Sequence, residues 1–138
     1  MAMWITPKTD WTTEDRFNFK DYNRIKNNLS YLHDKVSDIW GEFKIYDMGE
    51  DITSYAEGFY ADQFNLFEEN LEIINQNMLV TQYLGIKQTF YDNGVFISAA
   101  ELNRLESGEL KMKRIIEGWE AGKIRLSFRL GAPKGLYL

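Results

Sequence analysis

Residues 18–40 read NFKDYNRIKNNLSYLHDKVSDIW, and apolar side chains recur along them three and four positions apart. This spacing is typical of an α-helix with one buried face; the face consists of Tyr22, Ile25, Leu29, Leu32, Val36 and Ile39. Asn18 is a favourable N-cap, and Asp21 puts a negative charge beside the free N–H groups of the first turn. Gly41 suits a helix end. The segment therefore predicts a long helix with a seam like those of bundles and coiled coils.

Two further segments repeat this spacing. A second helix is predicted from about Ala61 to Val80, with an apolar seam at Phe64, Phe67, Leu71, Ile74 and Met78. A third should start after Ser98, because Ser98 and Glu101 have the spacing of a capping box, and should end at Gly122. Its seam comprises Leu102, Leu105, Met112, Ile116 and Trp119, and Glu109 stands where an apolar residue is missing.

The segments between and after these helices predict minor β structure. Residues 86–97 contain Asp92-Asn-Gly94, which favours a tight turn and hence a small hairpin. Residues 124–130 alternate apolar and polar side chains, as in a strand. Residues 1–17 are expected to form an irregular arm and residues 131–138 a tail. The predicted fold class is mainly α, with one domain over residues 1–138 and three principal helices packed as a bundle.

Composition narrows the classes of function. The chain has 138 residues with 44% hydrophobic content, which is enough for one core. Its 16 basic and 21 acidic residues give a net charge of −5, which disfavours nucleic acid as a partner. There is no cysteine, so disulfides and zinc–thiolate sites are excluded. No apolar run reaches about 18 residues, and the N-terminus lacks a signal-peptide pattern, so we expect neither membrane insertion nor export.

A short internal repeat links the first and third predicted helices. Asp21-Tyr-Asn-Arg-Ile25 and Glu101-Leu-Asn-Arg-Leu105 share the order acid, apolar, Asn, Arg, apolar, and each begins three residues after its N-cap. Residues 63–67, QFNLF, echo the pattern with the Asn but without the Arg. Two interpretations stay open. The Asn and Arg are ordinary surface residues at two helix starts, or they specify helix register and subunit partners.

The sequence offers no candidate for a catalytic, cofactor-binding or metal site. His33 is the single histidine, and we interpret it as a helix-surface residue that does not face the adjacent Asp34. Acidic residues such as Glu68, Glu69 and Glu72 fit a solvated helix face, because sequence alone shows no converging pair of carboxylates. There is no phosphate-binding glycine loop and no EF-hand spacing. We therefore expect a protein that is not an enzyme and has no cofactor.

Two stretches carry a resemblance to a known group of proteins. Trp4-Ile-Thr-Pro-Lys-Thr-Asp-Trp11, followed by Phe17-Asn-Phe-Lys-Asp-Tyr-Asn-Arg-Ile25, resembles the opening of uncharacterised proteins from the tail gene cluster of phages and prophages of Gram-positive bacteria. Phe96-Ile-Ser-Ala-Ala-Glu-Leu-Asn-Arg-Leu-Glu106 is similar to a helix-opening motif of phage tail and fibre-associated proteins. The resemblance implies an oligomeric structural component of a virion tail, assembled in the bacterial cytoplasm with other tail proteins.

These arguments give two sets of candidate contact residues. The seams, the repeat and the resemblance predict interfaces between copies of the chain; their residues are Trp4, Trp11, Tyr22, Asn23, Arg24, Ile25, Leu102, Asn103, Arg104 and Leu105. The alternative function is a carbohydrate-binding module that recognises host cell-wall glycan, since aromatic side chains stack on sugars. The aromatic residues near the inter-helix segments would then contact the ligand: Tyr55, Phe59, Tyr60, Tyr83, Phe90 and Tyr91.

Overall fold

The structure is a computed structural model that describes residues 3–53, 61–78, 81–91 and 97–130, with side chains described as far as Gly122. Three helices account for the regular structure of these ranges: α1 (Phe19–Trp40), α2 (Ala61–Gln76) and α3 (Ala99–Leu130). Each helix packs against the other two, so the predicted mainly α bundle of three helices is confirmed. None of the helices in the described ranges is both long enough and apolar enough to cross a bilayer.

The predicted starts of α1 and α3 are correct, and local hydrogen bonds explain them. The Asn18 side chain accepts from the N–H groups of Lys20 and Asp21, while the Asp21 carboxylate accepts from the Asn18 N–H. At α3, the Ser98 hydroxyl accepts from the Glu101 N–H at 3.2 Å. Gly41 ends α1 with φ of 115°, which favours glycine over residues with a side chain. α2 ends at Gln76, earlier than the Val80 predicted.

The predicted β structure is wrong wherever the structure describes it. Residues 124–130 continue α3 instead of forming a strand, and Gly122 lies inside the helix. One glycine costs a helix only about 1 kcal/mol, and extending an existing helix is easier than starting a new element. Residues 86–91 form no strand. The turn proposed at residues 92–94 and the tail at 131–138 lie outside the described residues.

The three helices run parallel, which contacts at successive levels establish. In α1 and α3, Arg24 binds Glu106, and further along Trp40 lies against Trp119 with ring centroids 5.5 Å apart. In α2 and α3, Glu68 binds Arg104, and one turn further along Leu71 lies against Gly108. Parallel helices require the chain to travel back along the bundle each time. It does so through irregular segments, named arm 2 (residues 42–53) and arm 3 (residues 81–91).

A third such segment, arm 1 (residues 3–17), precedes α1, so the described chain consists of three arm–helix units. The repeat seen in the sequence extends through all of them, because Asn65 lies 42 residues after Asn23, and Asn103 lies 38 residues after Asn65. The same two offsets align five core positions in each unit, of which Met78 in the second unit lies just past the end of α2. All fifteen side chains are buried: Tyr22, Phe64, Leu102; Ile25, Phe67, Leu105; Leu29, Leu71, Glu109; Leu32, Ile74, Met112; and Val36, Met78, Ile116.

We predict opposite effects of alanine at two kinds of glycine. Gly118 and Gly122 lie inside α3 with open space where a Cβ would stand, so Gly118→Ala and Gly122→Ala should each raise the free energy of unfolding by about 0.5–1 kcal/mol. Gly41→Ala should lower it, because its φ of 115° is strained for alanine. Urea denaturation measures all three variants. A neutral Gly122→Ala would argue against the helix continuing past residue 122.

Candidate functional site

Asparagine side chains on the helices hold the arms through a recurring pair of hydrogen bonds, which we call a staple. In each staple the amide NH2 donates to the backbone C=O of one arm residue and the amide oxygen accepts from the N–H of that same residue. This geometry requires an extended arm residue, since its N–H and C=O then point to the same side. Six staples have bond lengths of 2.7–3.0 Å: Asn28–Ile5, Asn103–Trp11, Asn70–Tyr46, Asn23–Ile52, Asn75–Gln82 and Asn65–Phe90.

The staples follow the threefold repeat; arms 1 and 2 are each stapled from two helices, and both staples of arm 3 come from α2. Asn23, Asn65 and Asn103 occupy equivalent positions and bind the later anchor of each arm. In arms 2 and 3 this asparagine belongs to the helix before the arm, and in arm 1 it belongs to α3, the last helix. Five residues further along, Asn28 and Asn70 bind the earlier anchors of arms 1 and 2. The equivalent position in α3 is Gly108, where a Cβ would lie 3.5 Å from the Leu84 side chain. Arm 3 is held by Asn75 at Gln82 instead.

The three arm–helix units form a closed ring around the core, because arm 1 of the first unit lies between α3 and α1. Asn103 staples Trp11 from α3, and Asn28 staples Ile5 from α1. The Trp4 ring packs against Tyr31 of α1 with centroids 5.4 Å apart, and the Lys113 ammonium of α3 lies 5.4 Å from the Trp4 centroid. We call this site the arm-1 groove.

Glu106 is the centre of the polar contacts in the arm-1 groove, although its side chain is fully buried. Arg24 donates to both of its oxygens, from Nε at 2.7 Å and from a terminal nitrogen at 2.8 Å. The Trp11 indole N–H donates at 2.6 Å and the Lys8 backbone N–H at 3.1 Å. Burial acts to lower the pKa of Arg24, but its bonds to Glu106 and Asp21 outweigh burial and raise it. The carboxylate is therefore matched by donors from both α1 and arm 1.

A second buried ion pair occupies the equivalent place between α3 and α2. Arg104 binds Glu68 and also Glu101, one turn earlier on its own helix. Burial raises the pKa of Glu68, and the bond to Arg104 only partly offsets this effect. Between α2 and α1 the two equivalent positions hold Leu66 and Lys26, so this pair is missing. Lys26 reaches arm 2 instead, where it binds Asp51 at 2.6 Å.

Glu109 is a buried carboxyl group inside the core itself. It occupies the position of Leu29 and Leu71 in the other two helices and is fully buried, and neither of its oxygens has a hydrogen-bond partner among the described residues. Burial and the neighbouring Glu106 charge raise its pKa well above the usual value, with Arg24 opposing them. The gap in the apolar seam that the sequence showed is therefore a carboxyl group that keeps its proton to unusually high pH.

The structure places the predicted interface residues within the packing of a single chain. Four lie in the core seams: Tyr22, Ile25, Leu102 and Leu105. Four form the staples and ion pairs described above: Asn23, Arg24, Asn103 and Arg104. Trp11 is buried at Glu106, and Trp4 packs against Tyr31. Contact between chains through these residues stays a prediction, and their observed partners belong to the same chain.

Two functional carboxylates were not predicted from the sequence: Glu68 was interpreted as solvated, and Glu106 was not singled out. Both carboxylates lie three residues after a stapling asparagine, at the same position of α2 and α3. They therefore sit one turn from the staple, facing the same groove. The detectable signal was an acid repeated at this position, together with an Arg one residue after the Asn in α1 and α3.

The candidate glycan-contact residues are only partly brought together. Tyr83 and Tyr91 of arm 3 are 74% and 73% exposed. Phe90 is half-buried, with its ring 6.1 Å from that of Phe64. Tyr55, Phe59 and Tyr60 lie outside the described residues. Arm 3 also exposes Ile86, so its outward face carries three large side chains with apolar surface.

His33 lies at the edge of an open cleft of about 620 Å³ near the end of α1, lined also by Ser37 and Asp38. Its Nε2 is 2.7 Å from the carbonyl oxygen of Phe43, so the ring fixes the start of arm 2. The expectation that His33 and Asp34 do not face each other is wrong, because Nδ1 lies 3.2 Å from the Asp34 carboxylate. Within the described ranges, no cluster of His, Asp and Glu side chains is suited to hold a metal ion.

Comparison with protein-family models, with curated proteins and with solved structures returns no match.

We predict that Glu109→Leu stabilises the fold at pH 7 by about 1–3 kcal/mol, the cost of a buried polar group without a partner. Because the folded pKa of Glu109 is raised, its favourable contribution is present below the unfolded pKa near 4.5 and is lost as pH rises through the folded pKa. The advantage of the leucine should therefore grow with pH. Urea denaturation between pH 4 and 8 measures this, with the exposed Glu117→Leu as control. A destabilised Glu109→Leu would contradict the prediction.

We predict that Asn70→Ala lowers the free energy of unfolding by about 1–3 kcal/mol, because it leaves the N–H and C=O of Tyr46 without their partners. Asn77→Ala is the matched control, since its exposed amide donates to the carbonyl of Ile73, one turn earlier on the same helix. The same denaturation assay compares the two. Equal effects of both substitutions would show that the staples add no stability beyond that of an ordinary surface amide.

Proposed function

We propose that this chain is a non-enzymatic structural component of a phage or prophage tail. The observation that carries the proposal is that buried polar side chains bind other groups of the same chain. Glu106, Glu68, Arg24 and Arg104 pair with one another across helices, and the asparagines staple the arms. These contacts support a self-contained scaffold, and the resemblance of residues 4–11 and 17–25 to tail-cluster proteins indicates where that scaffold acts.

The contact surface that best suits assembly lies on arm 3. Self-association through the helix seams was predicted, yet the seam side chains already pack against one another within one chain. Tyr83, Ile86 and Tyr91 are each more than 70% exposed on a single short segment. Arm 3 is anchored at Gln82 and Phe90, so this surface is held in place before a partner arrives, which lowers the entropic cost of binding. We propose that a neighbouring tail protein packs there.

The test is the presence of the chain in assembled particles. Mass spectrometry of purified virions, from the phage or induced prophage that encodes the chain, should detect it in a fixed ratio to the major tail protein. A double variant, Tyr83→Ser with Ile86→Ser, should fold normally and be lost from particles. Thr89→Ser, an exposed change on the same arm, should be retained. Particles that lack the wild-type chain and remain infectious would overturn the proposal.

A second candidate function is binding of host cell-wall glycan, which the exposure of Tyr83 and Tyr91 favours. Aromatic faces on a rigid arm provide the stacking surface that sugars use. Purified chain should then bind isolated wall polysaccharide, and a double variant, Tyr83→Ala with Tyr91→Ala, should lose the binding while Thr89→Ser keeps it. Absence of wild-type binding to wall polysaccharide and to a glycan array would remove this candidate.

A further inference from the structure

The three units of the ring are joined in two different ways. Arm 2 connects α1 to α2, and arm 3 connects α2 to α3, so those two interfaces are closed by the chain itself. The third interface, between α3 and α1, holds arm 1. This arm is joined covalently to α1 and has no covalent link to α3. Non-covalent contacts alone therefore close the ring at the arm-1 groove.

The arm-1 groove is the one interface, among the described residues, that retains every polar element of the repeat. It has both staples, Asn103–Trp11 and Asn28–Ile5, and the ion pair of Arg24 with Glu106. The α1/α2 interface lacks the ion pair, since Leu66 and Lys26 replace it. At the α2/α3 interface Gly108 replaces the asparagine, so both staples of arm 3, from Asn65 and Asn75, come from α2 alone. The groove without a covalent connection is thus the one, among the described residues, that combines the ion pair with staples from both of its helices.

The contacts in this groove do not require that arm 1 and the groove belong to the same molecule. The staples bind backbone groups, the Trp11 indole N–H binds Glu106, and the Lys8 N–H binds the same carboxylate. Any chain that presents this arm in an extended form can make all of them. Exchange of an identical element between copies keeps these bonds and is a low-cost route to oligomers.

The segment that joins arm 1 to α1 has the features of a hinge. Residues 12–16 are exposed, whereas Trp11 before them is buried and Phe17 after them packs on Phe64. Within the hinge, the backbone turns through a bond from the Asp15 N–H to the Thr12 carbonyl, supported by the Asp15 carboxylate on the Thr12 N–H. Opening this turn lengthens the link and separates the Trp11 and Phe17 rings of one chain, whose centroids lie 5.8 Å apart across the hinge.

We propose that the arm-1 groove is an acceptor site for arm 1 of a second copy of this chain. Copies join when the hinge opens and each arm enters its neighbour's groove, either reciprocally in a dimer or head to tail in a ring. This inference adds a mode of self-association to the proposed tail role and is tested on the purified chain alone, so its failure leaves incorporation into virions untouched. A tethered arm has an effective concentration on the order of mM, so the closed monomer dominates in dilute solution and exchange rises with concentration.

The direct test uses the absence of cysteine from the sequence. Thr9 of arm 1 and Ser107 of α3 are exposed and line the same surface cavity. Chains carrying Thr9→Cys and Ser107→Cys, with different tags, are co-expressed, purified and treated with a short bismaleimide. Exchange predicts a cross-linked heterodimer that disappears when Trp11→Ala is added to the Thr9→Cys chain. Thr9→Cys paired with Asp38→Cys, near the other end of α1, is the control. Heterodimer yield no higher than in this control would overturn the proposal.

A second measurement keeps the test decisive if Trp11→Ala does not fold. Deleting Thr13 and Glu14 from the exposed turn shortens the hinge, and short hinges favour exchange over closure. Light scattering should then give at least twice the 16.3 kDa chain mass. Inserting four Gly and Ser residues after Thr13 should leave a monomer at the same concentration. A deletion variant that remains a folded monomer across the concentration range would contradict arm exchange.

Discussion

The whole architecture depends on one interaction, the asparagine amide that binds the N–H and C=O of a single extended residue. Parallel helices force the chain to return along the bundle after each helix, and a returning segment that packs on helices has no neighbouring strand to satisfy its backbone. Unpaired backbone groups near the core are costly. A helical asparagine presents one donor and one acceptor on one side, which is what an extended residue needs. The staple thus lets an arm lie in a groove between helices without a β-sheet.

The buried charged residues lie in the same grooves as the staples, and they too are paired with donors or acceptors of the neighbouring elements. Glu109 is the exception. Glu106 accepts from Arg24, Trp11 and Lys8, so burying it is compensated by donors that also fix arm 1. Breaking such a buried pair by removing one partner typically costs about 3–5 kcal/mol. Glu109 has no such partner and interrupts a seam that is apolar at Leu29 and Leu71. The nearby Glu106 charge makes its ionisation harder still, and Arg24, already held by Glu106 and Asp21, offsets this only partly.

The sequence was sufficient for features that depend on local spacing and insufficient for those that depend on partners far along the chain. The capping residues Asn18 and Ser98 and the seams of α1 and α3 follow from neighbours within one or two turns. The staple of Asn103 to Trp11 spans 92 residues, and no local pattern distinguishes it from a surface amide. Residues 124–130 were misassigned because alternation in a short segment does not show that a helix already precedes it. The α2 echo at Asn65 was a correct signal, since its amide staples Phe90 as its equivalents do.

The places where the three units differ follow from how each interface is closed. Where the chain itself links two helices, the link keeps each helix at a high effective concentration relative to the other. The non-covalent contacts between them then have less entropy loss to overcome. Such an interface tolerates loss of one element, as Leu66 and Gly108 show. Between α3 and α1 no arm provides this link, so non-covalent bonds alone must hold arm 1 and both helices together. Loss of a staple or of the Arg24–Glu106 pair there should therefore weaken the hold on arm 1 more than a comparable loss at the other two interfaces. Because these bonds need no covalent link between arm and groove, the identical arm of another copy can make them as well.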